Sequence, residues 1–183
     1  LMKVKLMAGI AGLLVSAGLI VGGWLIYQYV NDAASLEYVM SDHYGERMVD
    51  FTLEDISGQS TAVSATSGKP KLINFWTSWC PGCQNEAEDL NKIYANYKNN
   101  IEIISINVTA NDSMEEASAF LDEYNVQMPS LFDQDGIVAA QYGITAIPTN
   151  YFIRADGTIL KITYEISESS ADPLIKELLE EVN

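Results

Sequence analysis

Histidine occurs once in the 183 residues and cysteine only twice. Basic side chains are also scarce: 10 Lys and Arg stand against 25 Asp and Glu, a net charge of −15. Each shortage removes a class of function. A body this acidic repels a polyphosphate backbone, which sets DNA and RNA aside as partners. A zinc site normally takes four ligands, and two cysteines with one distant histidine do not supply them. No metal and no organic cofactor are expected. His43 falls in a polar stretch and reads as a solvated side chain. Internal repeats and low-complexity tracts are also missing, so the length suits one domain plus an appendage.

Charge is missing altogether from Leu6 to Val30. As a helix, Leu6 to Tyr27 would span about 33 Å, enough to cross a hydrocarbon core. Trp24, Tyr27 and Tyr29 cluster at its far end, where amphipathic rings favour the interface. Lys3 and Lys5 precede the run, so the positive-inside rule leaves the N-terminus in the cytoplasm and the body outside. Residues 1–30 are therefore expected to be a signal-anchor helix, 31–46 a linker and 47–183 the folded domain. A cleaved leader is the rival, with Ala33-Ala-Ser35 as a weak processing site.

In the body, Val49–Ile56 alternates apolar and polar residues, a half-buried strand. The Ser57-Gly58-Gln59 turn returns it towards Thr61–Ala65 as a hairpin. Lys71–Trp76 and Ile101–Val108 read as buried central strands. Between them, Ala87, Leu90, Ile93, Tyr94 and Tyr97 recur at helical spacing. Glu86, Glu88, Asp89 and Lys92 take mostly other positions. Ser113 and Glu116 form a capping box that opens a second helix, and a short one is expected over Val138–Tyr142. Tyr151–Arg154, the Asp156-Gly157 turn and Thr158–Tyr164 make a hairpin. Asp172-Pro173 reads as the N-cap and first residue of the last helix. Strands alternating with helices, then a hairpin, predict a mixed central sheet flanked by helices.

Both cysteines fall in FWTSWCPGC, residues 75–83, where a strand ends and a helix begins. Cys80 would occupy the helix N-terminus, where free N–H groups and the helix dipole favour a thiolate. Cys83 lies one turn in, within reach of a disulfide. A thiolate at Cys80 would attack a partner disulfide, and Cys83 would resolve the mixed bond. A purely structural bridge across so short a loop would remove little unfolded-state entropy. The pair therefore reads as a redox couple.

These residues resemble the active-site segment of thioredoxin-fold proteins, with Trp79 directly before the nucleophile. Tyr142-Gly-Ile-Thr-Ala-Ile-Pro-Thr149 is similar to that family's cis-proline segment. Val49–Leu53, the Gly58 turn and the N-terminal run resemble the TlpA/ResA branch, which is membrane-anchored and faces away from the cytoplasm. The resemblance implies a thioredoxin-like α/β fold with an N-terminal hairpin extension, and the activity of a thiol–disulfide oxidoreductase. It makes Cys80, Cys83 and Glu86 the catalytic residues, with Glu86 taking the proton of Cys83. It places Trp79, Pro81, Ile147 and Pro148 against substrate, with Pro148 in the cis form.

Two features depart from the branch: Pro81-Gly82 inverts the thioredoxin dipeptide, and Met48-Val49 replaces the usual Ala-Pro. Asn74 stands where cytoplasmic thioredoxins carry a buried aspartate, which leaves Glu86 as the proton acceptor. The expected partners are disulfide-bearing or dithiol proteins outside the membrane, apocytochrome c among them. Reduction is favoured over oxidation. With no third cysteine, a reductase needs a separate transmembrane thiol donor. The competing activities are a thiol peroxidase and a disulfide-forming oxidase of the same fold.

Overall fold

The apolar run after Gly68 and Pro70 forms strand β3 (Lys71–Trp76), buried along its whole length. The structure, a computed structural model, describes residues 21–28 and 45–180. Around β3 lie β1 (Phe51–Asp55), β2 (Ser60–Val63), β4 (Glu102–Asn107), β5 (Ser130–Phe132), β6 (Thr149–Ile153) and β7 (Ile159–Thr163). The helices are α1 (Pro81–Tyr97), α2 (Met114–Glu123), α3 (Ile137–Gln141) and α4 (Glu168–Glu180). The sheet order is β2-β1-β5-β4-β3-β6-β7. β3 runs parallel to β4 and antiparallel to β6, so the sheet is mixed.

Alternation along β3 decides what each helix meets. Leu72, Asn74 and Trp76 face α1, while Phe75 points the other way into Tyr142 and Tyr151, at ring separations of 5.3 and 5.9 Å. Leu72, Phe152, Leu90, Ile93, Ile175 and Leu178 close one core between the sheet, α1 and α4. Trp76, Ala87, Ala117 and Phe120 join the two cysteines in a second. Truncating a fully buried side chain such as Ile93 or Phe152 costs about 2–5 kcal/mol. The cysteine turn thus rests on a packed floor.

The structure departs from the sequence-based expectation in four places. β5 was not expected: three residues after Pro129 are too few to show a period, yet they join the hairpin to the sheet, parallel to β4 and antiparallel to β1. α4 begins at Glu168, before the Asp172-Pro173 pair. There Ser167 and Ser170 satisfy each other's backbone N–H groups, at 3.3 and 2.9 Å, and start the helix early. Asp172 instead accepts hydrogen bonds from Tyr97 Oη and Lys176 Nζ, and Pro173 lies inside the helix. Glu86 belongs to the inward face of α1, with Cys83, Ala87, Leu90 and Ile93, and not among the solvated charges. Finally, the end of the expected linker already belongs to the sheet edge: Gly45 N–H donates to Ile159 O at 3.3 Å, and Ile159 N–H to Glu46 O at 2.9 Å.

Residues 21–28 are helical. The rest of the expected anchor, and most of the linker with His43, lie outside the described residues. Among the described residues no helix is long and apolar enough to cross a membrane.

Candidate active site

β3 ends at Trp76, and the chain turns through Thr77–Trp79 into α1. Cys80 is the N-cap of that helix, with extended backbone angles of −80° and 118°. Its sulfur accepts the N–H of Cys83 at 3.3 Å, the bond that a serine or aspartate cap would make. Pro81 occupies the first turn, where its missing N–H costs nothing. On its other side the Cys80 thiol donates to Ile147 O at 3.4 Å, and the Ile147–Pro148 bond is cis. Gly82 lies so close to this proline that an added Cβ would stand 3.0 Å from Pro148 Cδ. The inverted dipeptide has a steric reason: Gly82 leaves room for the proline ring.

Cys83 is only 2% exposed. Burial pushes its thiol well above the ordinary range, and the hydrogen bond with Cys80 adds to the rise; the Thr77 N–H opposes it. Glu86, one turn further on, is 1% exposed. Its Oε1 accepts Asn74 Nδ2 at 2.7 Å. Its Oε2 accepts Ile166 N–H at 2.9 Å and Asn150 Nδ2 at 3.2 Å. Burial outweighs these three donors, and the nearby Glu165 carboxylate adds to the effect, so Glu86 is pushed up to about 7. Its charge also bears on the Cys83 thiol. The pair therefore joins a thiol that resists ionisation to a carboxylate half-ionised near neutral pH, the combination a proton transfer requires.

The turn before Cys80 is pinned by Asp112. Its Oδ2 accepts Ser78 N–H at 2.6 Å and Asn107 Nδ2 at 2.8 Å. Its Oδ1 accepts Ser78 Oγ at 2.6 Å and Ser113 N–H at 2.9 Å. Burial opposes ionisation here too, but these donors prevail and hold the carboxyl below its ordinary value. Trp79 is 59% exposed, and its indole N–H donates to Asn111 O at 2.8 Å. Beside it opens a groove of about 460 Å³, lined by Thr77, Trp79, Ala140, Ile144 and Ile147 among others.

The structure thus brings all seven expected site residues to one end of the sheet: Cys80, Cys83, Glu86, Trp79, Pro81, Ile147 and Pro148. It adds Asn150 and Asp112. Asn150 had a weak signal, being with Thr149 one of two small polar side chains that open a strand buried throughout. Asp112 had none, because Thr109–Ser113 has the composition of any turn. Among the described residues no three His, Cys, Asp or Glu side chains gather as a metal site would require.

The model for the AhpC/TSA family matches residues 44–162. The chain belongs to that family. Thiol-disulfide oxidoreductase ResA of Halalkalibacterium halodurans is 36% identical over 119 residues, 64% of this chain and 66% of that protein. ResA of Bacillus cereus is 26% identical over 182 residues, 98% of each chain. The solved structure of a secreted Mycobacterium tuberculosis disulfide oxidoreductase homologous to E. coli DsbE matches with a TM-score of 0.62 and 29% identity. That match covers 69% of this chain and 95% of the other. This member of the AhpC/TSA family is a thiol–disulfide oxidoreductase with a thioredoxin-like fold.

Proposed function

We propose that the protein is tethered to the membrane by its N-terminal run and reduces disulfides in proteins outside the cytoplasm. The Cys80 thiolate attacks a client disulfide. A Cys80–client bond forms, and the first client sulfur leaves as a thiol after taking a proton. Cys83 then gives its proton to the Glu86 carboxylate and attacks the Cys80 sulfur. The second client sulfur leaves as a thiolate and becomes a thiol by taking a proton from water, and Glu86 returns its own proton to solvent. The client has gained two electrons and the protein holds a Cys80–Cys83 disulfide. A dithiol of a separate transmembrane donor restores the thiols. Clients enter as extended segments along the groove beside Trp79 and meet the backbone of Ile147 next to Pro148. Apocytochrome c and cell-envelope proteins are the client class that the TlpA/ResA resemblance implies.

One observation carries this reading: Glu86, buried and pushed up to about 7, lies one helical turn from the thiol it must deprotonate. The reducing direction is supported by the Ile147-Pro148-Thr149 segment, which resembles the thioredoxin-like, reducing side of the fold. The secreted location of the M. tuberculosis protein supports placement outside the cytoplasm.

The test is trapping. A Cys83→Ser protein should accumulate mixed disulfides through Cys80, and a Cys80→Ser protein should not. Equal trapping by both would overturn the assigned roles. Alkylation in the native cell should find the pair mostly thiol, whereas a mostly oxidised pair would reverse the direction.

A further inference from the structure

Nothing that lines the groove carries a charge: Thr77, Trp79, Val108, Asn111, Ile144 and Ile147 are typical of it. The groove can therefore select clients by shape and apolar contact but not by charge. An exposed charge beside the Pro81-Gly82 dipeptide comes from elsewhere. Glu165 follows β7, and its Oε2 stands 3.2 Å from the place where a Cβ on Gly82 would be. The same point is 3.0 Å from Pro148 Cδ, so the carboxylate, the dipeptide between the cysteines and the cis-proline ring share one spot on the rim.

Glu165 is held there by its neighbours. Tyr164 O accepts Asn150 Nδ2 at 2.7 Å, and Ile166 N–H donates to Glu86 Oε2 at 2.9 Å. The residues on both sides are thus tied to the buried amide–carboxylate network. Ile166 turns inward, while Glu165 stays exposed. A flexible loop carboxylate would average its field over many positions. This one has a fixed backbone, and its carboxylate lies beside Gly82, between the two cysteines in sequence.

We infer that Glu165 is a specificity-determining residue that favours client segments with a Lys or Arg beside the reactive cysteine and disfavours those with Asp or Glu there. A client sulfur bonded to Cys80 brings its flanking residues over Pro81-Gly82, within a few ångströms of this carboxylate. At that range an exposed charge pair changes encounter and docking severalfold, and salt weakens it. The inference rests on the proposed exchange reaction.

The experiment uses the full chain and three disulfide-linked peptides that differ only in the residue beside cysteine: Lys, Gln or Glu. At low ionic strength the unmodified protein should reduce the Lys peptide about tenfold faster than the Glu peptide, with Gln between. Glu165→Gln should bring the Lys and Glu rates close together, and Glu165→Lys should reverse their order. Glu123→Lys makes the same change in net charge at the exposed C-terminal end of α2 and should leave the order intact. A Lys-to-Glu ratio that survives both Glu165 variants would overturn the inference. So would a ratio that Glu123→Lys alters as much, because selection would then belong to the whole acidic surface. The Gln peptide separates the two readings. If no protein reduces it, the exchange reaction itself fails; if all reduce it alike but charge makes no difference, only the role of Glu165 fails.

Discussion

Asp112 holds the chain just before Cys80, and Glu86 lies one turn beyond Cys83. Both carboxylates accept several hydrogen bonds, yet the fold drives them in opposite directions. Asp112 sits in a half-buried loop, and its donors overcome the cost of burial, so it stays ionised. Glu86 is almost fully buried, and three donors do not overcome that cost. One is a permanent charge that anchors the turn. The other changes protonation near neutrality, as a group that handles a proton must. Accepting several hydrogen bonds does not separate a carboxylate that stays charged from one that titrates near neutrality; depth does.

The strongest way to break this contrast is the pH dependence of stability. The rise of Glu86 from 4.5 to about 7 corresponds to about 3 kcal/mol. Its protonated form is favoured in the fold, so this stability is complete below about pH 4.5 and is lost as pH climbs through 7. Asp112 works the other way: its contribution is present above the ordinary carboxylate range and disappears as pH falls through its lowered value. Denaturant unfolding across pH should therefore flatten on the neutral side in Glu86→Gln and on the acid side in Asp112→Asn. A neutral-side slope unchanged by Glu86→Gln would end the comparison.

Next in size is Asp112→Ala, which leaves four donors without their acceptor. A loss on the order of 2 kcal/mol in urea unfolding is expected, together with slower exchange from a loosened turn. Asn74→Ala removes the 2.7 Å donor to Glu86 and should raise its titration midpoint by about 0.5–1 pH unit. That shift is readable from the carboxyl stretch or carbon NMR of a labelled glutamate. The smallest effect is that of Trp79→Phe, which removes one exposed hydrogen bond to Asn111 O on the Asp112 side. It should cost about 0.5–1 kcal/mol and leave the Glu86 midpoint in place.

How much of this the sequence revealed depended on whether each signal was local. The cysteine turn was plain, because strand, proline and helix pattern meet within nine residues. Pro148 and Ile147 were reached through resemblance, since nothing in an isolated Ile-Pro pair specifies a cis bond. Glu86 looked like one of several acidic residues on α1, and only its place in the Cys83–Ala87–Leu90 stripe marks it as buried. Asn150 and Ile166 act on Glu86 from 64 and 80 residues away, a contact that no local window contains. β5 was lost to its length, because long-range pairing with β4 and β1 outranked the local cue, and α4's start to a run of serines whose mutual capping outcompeted the Asp172-Pro173 signal.

In the proposed reaction Glu86 takes the proton from Cys83 when the mixed disulfide is resolved. The direct measurement is the single-turnover rate of that step against pH, in the unmodified protein and in Glu86→Gln. In the unmodified protein the rate should rise through about pH 7 and level off. In the variant that rise should vanish, and the rate at pH 8 should be slower by about 100-fold. Superimposable profiles for the two proteins would contradict it.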